Sequence, residues 1–243
     1  MEIQVAVAKV NKYGSTESGD TIEFVERPTG GISVVLADAR SSGKKAKAIS
    51  SLVVRKIISL LAEGVRDGAC ARAASDYLFT EKNGTATAFL NILSADLETN
   101  TIVLTRNAQT PIFIAEGEII NCLSTESPPI GENRGIKPEI TEIPLKPGIT
   151  IVLYTDGIQQ AGQEIGLSID ICTNLEAILE EQEPTAQEVA DSILSEAIRL
   201  DTNRPKDDMS VIVMTVAPKE RDQIRRMTVK LPVPQKPSLF SEQ

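Results

Sequence analysis

The chain has 243 residues, a net charge of −9, no histidine and no tryptophan, and 41% of its residues are hydrophobic. That length suits one large domain or two small ones, with an aliphatic core because aromatics make up only 3%. The acidic balance leaves no cationic surplus for nucleic-acid phosphates, and the missing histidine excludes a Ser-His-Asp triad, an HExxH zinc site and any imidazole base.

Residues 3–10 alternate Ile3, Val5 and Val7 with Gln4, Ala6 and Ala8, the pattern of a half-buried strand. Thr21–Glu26 reads as a second strand, and Pro28-Thr29-Gly30-Gly31 turns the chain into a third over Ile32–Asp38. The period then changes. Apolar residues at 46, 49, 52, 53, 57, 60 and 61 form a helical stripe that closes at Gly64. A second helix is expected over Ala69–Glu81, and Asn83-Gly84 then leads into a β-type run over Thr85–Leu97.

Short strands over Asn100–Arg106, Ile112–Ala115 and Glu118–Asn121 read as an antiparallel meander. Residues 122–136 read as a loop, and Pro147-Gly148 joins strands over Ile140–Ile143 and Ile149–Thr155. Two more helices are expected near Ser168–Glu181 and Thr185–Leu200, the latter opened by a Thr185-x-x-Glu188 capping box. Met209–Val216 is the last strand. Without βαβ alternation, this order predicts an α+β fold: two packed antiparallel sheets, each covered outside by one helix pair. One domain is expected over 1–217. Residues 218–243, with Pro232, Pro234, Pro237 and a basic surplus, are expected to form a flexible tail.

Cys70, Cys122 and Cys172 are far apart and form no CxxC pair, which points to reduced core residues rather than a zinc or redox motif. The first residues lack a basic region and a long apolar stretch, and no apolar run approaches the roughly 20 residues that span a bilayer. A cytoplasmic protein without nucleic-acid or membrane partners is expected.

The chemistry concentrates where apolar strands end in carboxylates: Ile32–Ala37 in Asp38, and Ile149–Tyr154 in Thr155-Asp156-Gly157. Asp207-Asp208 stands directly before Met209–Val216. Rigid, closely spaced carboxylates are what hard cations such as Mg²⁺ or Mn²⁺ require. A lone Asp of this kind is usually a turn or cap residue, so the weight lies in the set. Asp20 carries a weaker signal, since Gly-Asp before a strand is also an ordinary turn. Lys44, Lys45 and Lys47 read as a solvated helix face, while Arg40 and Ser42 lie in the loop beside the carboxylates, within possible reach of a phosphate.

Four segments, in order, resemble the PPM superfamily of metal-dependent serine/threonine phosphatases, in its SpoIIE-type branch. They are Ser18-Gly19-Asp20-Thr21-Ile22-Glu23-Phe24, Ala37-Asp38-Ala39-Arg40-Ser41-Ser42-Gly43, the stretch from Ile143 to Ile158, and Arg204-Pro205-Lys206-Asp207-Asp208-Met209-Ser210. The resemblance implies an αββα sandwich with two Mn²⁺ or Mg²⁺ ions at one end. It implies Asp38, Asp156 and Asp207 as the catalytic carboxylates, with Asp38 bridging the ions, the Ala39 carbonyl as a further ligand and Asp20 as ligand or outer acceptor. It also implies a phosphorylated regulatory protein as substrate, typically an anti-sigma-factor antagonist in partner switching. The chain departs from the pattern at Ala39, where Gly is usual and permits backbone angles that Ala tolerates poorly, so a strained backbone is expected there. It departs also at Ser41, and at Asn107-Ala108-Gln109-Thr110 in place of Asn-Ala-Gly-His. The rival reading is a degenerate phosphatase fold that binds its phosphoprotein without turnover. A haloacid-dehalogenase chemistry would need an Asp-x-Asp nucleophile motif, and no strand end carries one.

Overall fold

A computed structural model describes residues 1–181, 183–218 and 224–232. Among the described residues, ten strands form two five-stranded antiparallel sheets. One has the order β1 (Glu2–Val10), β10 (Met209–Ala217), β9 (Ile149–Tyr154), β6 (Ile112–Glu116), β7 (Ile119–Leu123). The other has the order β2 (Thr21–Glu26), β3 (Gly31–Ala39), β4 (Ala88–Asp96), β5 (Thr101–Asn107), β8 (Glu139–Pro144). Helices α1 (Gly43–Ala62) and α2 (Asp67–Lys82) cover the second sheet, while α4 (Ile171–Glu181) and α5 (Ala186–Leu200) cover the first. The expected αββα sandwich is the observed one.

Strand periodicity explains the three apolar layers. Along β3, Val34 and Leu36 enter the core between the sheets, while Val35 and Ala37 meet Ile49, Val53 and Ile57 of α1. In β9 and β10, Ile151, Leu153, Ile212 and Met214 point inward, and Val152, Val211 and Val213 meet Val189, Ala190 and Ile193 of α5. The Thr185/Glu188 capping box that opens α5 is present, and Asn83 ends α2 in the left-handed region at φ 50°.

Two expectations need correction. The meander over Asn100–Asn121 is broken: β5 stays between β4 and β8, whereas β6 and β7 belong to the other sheet. Strand alternation does not say which sheet a strand joins, and β6 is covered on both faces, Ile112 and Ile114 inward and Ala115 against the α4–α5 layer. Arg106, at the end of β5, anchors this crossover. Its guanidinium donates to the carbonyls of Leu123 and Thr125. The second correction follows β9, which ends at Tyr154. A four-residue helix, α3 (Asp156–Gln159), and a 3₁₀ turn over Gln163–Ile165 come next, both too short to show a period.

The expected tail lies partly outside the described residues, which omit 219–223 and 233–243. Within 224–232, Arg225 pairs with Glu26 at 3.3 Å, and Val229 is 90% exposed. Among the described residues, no helix is long and apolar enough to cross a membrane.

Candidate active site

The chain gathers its carboxylates at one end of the sandwich through three tight connections. β9 and β10 are neighbours, and beyond their last pair Thr155 N–H donates to the Ser210 carbonyl while Ser210 N–H donates to Thr155 Oγ1, both at 3.0 Å. This places Asp156, at the start of α3, against Asp207, just before β10. The contact also requires Gly157: a Cβ there would stand 2.1 Å from the Asp208 carbonyl oxygen and 3.4 Å from Asp207 Cβ. Across the gap, β3 delivers Asp38 into the layer between the sheets, opposite Phe89 of β4.

Asp208 and Ser210 tie the second sheet to the first. Asp208 accepts from Gly19 N–H at 2.7 Å through Oδ2 and from Lys12 N–H at 2.9 Å through Oδ1. Ser210 Oγ donates to Asp20 Oδ2 at 2.6 Å. The Asp20 carbonyl accepts from Lys9 Nζ at 3.1 Å and Lys47 Nζ at 3.0 Å, and Lys47 Nζ also reaches Thr21 Oγ1 at 2.9 Å. Lys47 therefore does not belong to a solvated helix face. Nothing in its spacing separates it from Lys44 and Lys45, because its acceptor lies on another element.

Asp20, Asp38, Ala39, Asp156 and Asp207 all line one cleft of about 210 Å³, together with Gly19, Arg40, Ser41, Phe89 and Asp208. Every position carried over from the family pattern thus meets at one place. Burial pushes the Asp38 carboxyl up to about 9, helped by the charges of Asp20, Asp156 and Asp207 and by a hydrogen bond with Asp156. Burial likewise pushes Asp20 up to about 6, against the Ser210 hydrogen bond and Lys9. Asp156 is raised by burial and by Asp207, with the bond from Asp38, the Gly157 amide and Arg40 pulling it down. A proton shared between Asp38 and Asp156 would offset part of the repulsion in this cluster.

That donor set fits divalent cations in kind. It is all oxygen, it carries excess negative charge, and its members repel one another unless cations or protons intervene. Among the described residues, no three acidic or thiol side chains are gathered tightly enough to enclose an ion.

These shifts fix a pH dependence with a definite sign. Asp20 and Asp38 have folded-state values above the ordinary 3.8, so their stabilising contribution is complete below that value. It is lost as pH rises, towards about 6 for Asp20 and about 9 for Asp38. In EDTA, melting temperature should therefore fall from mildly acidic to alkaline pH, and saturating Mn²⁺ should flatten the decline. A flat profile in EDTA would contradict this electrostatic picture.

Ala39 behaves differently from expectation. A strained backbone was anticipated where Gly is usual, yet Ala39 is absent from the residues with positive φ and ends β3 as an ordinary strand residue. Its side chain is 3% exposed in the α1 layer, and its carbonyl accepts Ser41 N–H at 2.6 Å. Ala39→Gly should relieve no strain. It should remove a packed methyl and loosen the strand, lowering stability by about 1 kcal/mol, or about 3 °C in melting temperature. Tighter Mn²⁺ binding by this variant would restore the strain argument.

Comparison with known proteins bears on the family and the fold. The profile of the Stage II sporulation protein E (SpoIIE) family matches residues 28–217. Stage II sporulation protein E of Priestia megaterium is 23% identical over 216 residues, covering 87% of this chain. The chain spans only 36% of that relative's length. Among solved structures, the PP2C phosphatase domain of SpoIIE from Bacillus subtilis, with a fragment of its regulatory domain, superposes with a TM-score of 0.76 at 21% identity. That match covers 89% of this chain and 64% of the other. RsbX in complex with magnesium superposes with a TM-score of 0.68 at 15% identity, over 88% of this chain and 96% of the other. At such identities the structural likeness concerns the fold.

Proposed function

This chain belongs to the SpoIIE family, and from that premise we propose that it is a divalent-cation-dependent phosphatase acting on phosphoserine or phosphothreonine of a regulatory protein. The observation that carries the proposal is the convergence of Asp20, Asp38, Asp156 and Asp207 on one cleft, with Asp38 held up to about 9 by burial and then by its acidic neighbours. Cations would relieve the mutual repulsion of such a cluster, which supports a cation site here.

In this reading Asp38, Asp156, Asp207, Asp20 and the Ala39 carbonyl would hold two divalent ions. Bound Mn²⁺ or Mg²⁺ would supply charge shielding for the phosphoryl group and acidify a water near neutral pH. The chain's own residues provide position. Asp208 and Ser210 fix the loop that carries Asp20, and Gly157 lets Asp156 approach Asp207. Water would attack phosphorus as the bond from phosphorus to the seryl or threonyl oxygen breaks. The proton given up by the water would end on that leaving oxygen, so neither a histidine nor a covalent nucleophile is needed.

The family resemblance supports the phosphoserine form of a small anti-sigma-factor antagonist as substrate, and RsbX binding magnesium on this fold supports the choice of cation. A cytoplasmic site of action suits three free thiols, one of them the exposed Cys122. Ala39 lies outside the positive-φ region that favours Gly, which favours a working centre over the degenerate binding module. Turnover of p-nitrophenyl phosphate and of a phosphoserine peptide, in Mn²⁺ and in EDTA, tests the proposal. Hydrolysis only with the cation is expected; phosphopeptide binding without turnover at saturating Mn²⁺ would establish the binding module instead.

A further inference from the structure

We propose that Arg40 is the phosphate anchor of this cleft, the side chain that grips the non-bridging oxygens of the substrate's phosphoryl group. The inference rests on the phosphatase reading above and assigns a residue that reading leaves unused. A phosphomonoester dianion must enter a cleft lined by five aspartates, and Arg40 is the single cation among the lining residues. Three cations outside the lining, Lys9, Lys47 and Lys206, are committed elsewhere. Lys9 and Lys47 both donate to the Asp20 carbonyl, and Lys206 pairs with Glu164 at 2.8 Å.

Arg40 is held but not consumed. Its N–H donates to the Thr87 carbonyl at 3.0 Å, which pins the loop to the chain just ahead of β4. Its guanidinium carbon lies 5.5 Å from the centre of the Phe89 ring, and Phe89 is the cross-strand partner of Asp38. An aromatic face steadies a guanidinium while leaving its N–H edges outward, the geometry that takes two phosphate oxygens at once. Among the described residues, no ion pair involves Arg40, and its side chain is exposed. Its charge is nevertheless felt at Asp156, so an anion seated on it would lie beside the carboxylates. A lysine here would supply charge without the fork or the flat seat on Phe89.

The test uses the full chain at saturating Mn²⁺, with Arg40→Ala, Arg40→Lys and the parent compared on p-nitrophenyl phosphate and on inorganic phosphate. Arg40→Ala should raise KM and the inhibition constant of phosphate in parallel, by about tenfold or more, with a much smaller change in kcat. Arg40→Lys should recover part of the loss, which a purely structural role would not produce. Calorimetric binding of inorganic phosphate to the Mn²⁺-loaded protein should weaken in the same order. If the parent hydrolyses the ester and Arg40→Ala keeps its KM and phosphate inhibition, the anchor is refuted while the phosphatase reading stands. If the parent hydrolyses nothing yet loses phosphate binding on Arg40→Ala, the anchor stands and the phosphatase reading falls. Equal phosphate binding by parent and Arg40→Ala overturns the proposal in either case.

Discussion

Asp38→Asn is expected to reduce Mn²⁺-dependent hydrolysis by about a thousandfold, equivalent to about 4 kcal/mol of lost transition-state stabilisation. The same change should raise the melting temperature in EDTA. Both effects have one cause. Asp38 sits where burial and three neighbouring carboxylates oppose its ionisation, so without cations its charge is a liability. An amide of the same shape can still donate to Asp156, and it removes the charge altogether. With cations present that charge is the reason they bind, and its loss removes both affinity and charge shielding. The opposite signs separate this account from a structural role, under which both quantities would fall together. Asp38→Asn should also abolish the decline of stability with pH between about 6 and 9, leaving the part due to Asp20. Near-parental turnover in this variant would count decisively against the site.

Gly157→Ala should cost about 3 kcal/mol, or about 9 °C in melting temperature, and should remove most of the activity. Gly157 is required for space rather than for an unusual φ, since it is absent from the positive-φ glycines. Its added methyl would meet a backbone carbonyl, that of Asp208, at 2.1 Å, and no side-chain rotation relieves a clash with backbone. The turn carrying Asp156 would have to move away from the segment carrying Asp207, or β10 would have to shift. The latter would strain the bonds between Thr155 and Ser210 and the bond from Ser210 to Asp20. Calorimetric melts together with Mn²⁺ titration check both consequences. A melting temperature within about 2 °C of the parent would show that the approach is looser than the structure indicates.

Much of the fold is legible because its signals are local. The α1 stripe, the Thr185/Glu188 box and the Asn83-Gly84 stop each rest on a few adjacent residues, and each predicted element exists. The site is legible for a related reason: Asp38, Asp156 and Asp207 stand at strand ends, where the end of an apolar run is visible in the letters. What is not legible depends on partners far away in the chain. The switch of β6 to the other sheet depends on which layer covers each of its faces, and alternation is the same for either sheet. Lys47, Ser210 and Asp208 show their roles only when Asp20, Gly19 and Lys12 arrive beside them, and these pairs are separated by 27, 190, 189 and 196 positions. The strain expected at Ala39 came from the usual residue there and not from this chain's own turn. Here the positive φ falls at Gly43, where α1 begins.

The central claim is that Asp20, Asp38, Asp156 and Asp207 together hold the divalent cations on which phosphoester hydrolysis depends. The most direct measurement is calorimetric titration of Mn²⁺ into the parent chain and into Asp156→Asn and Asp207→Asn, each first shown to be folded by its melt in EDTA. The parent should bind two ions, with proton release as Asp38 and Asp156 give up the proton between them, and each variant should lose at least one of those ions. A folded parent that takes up no Mn²⁺, or variants that bind it as the parent does, would contradict the claim.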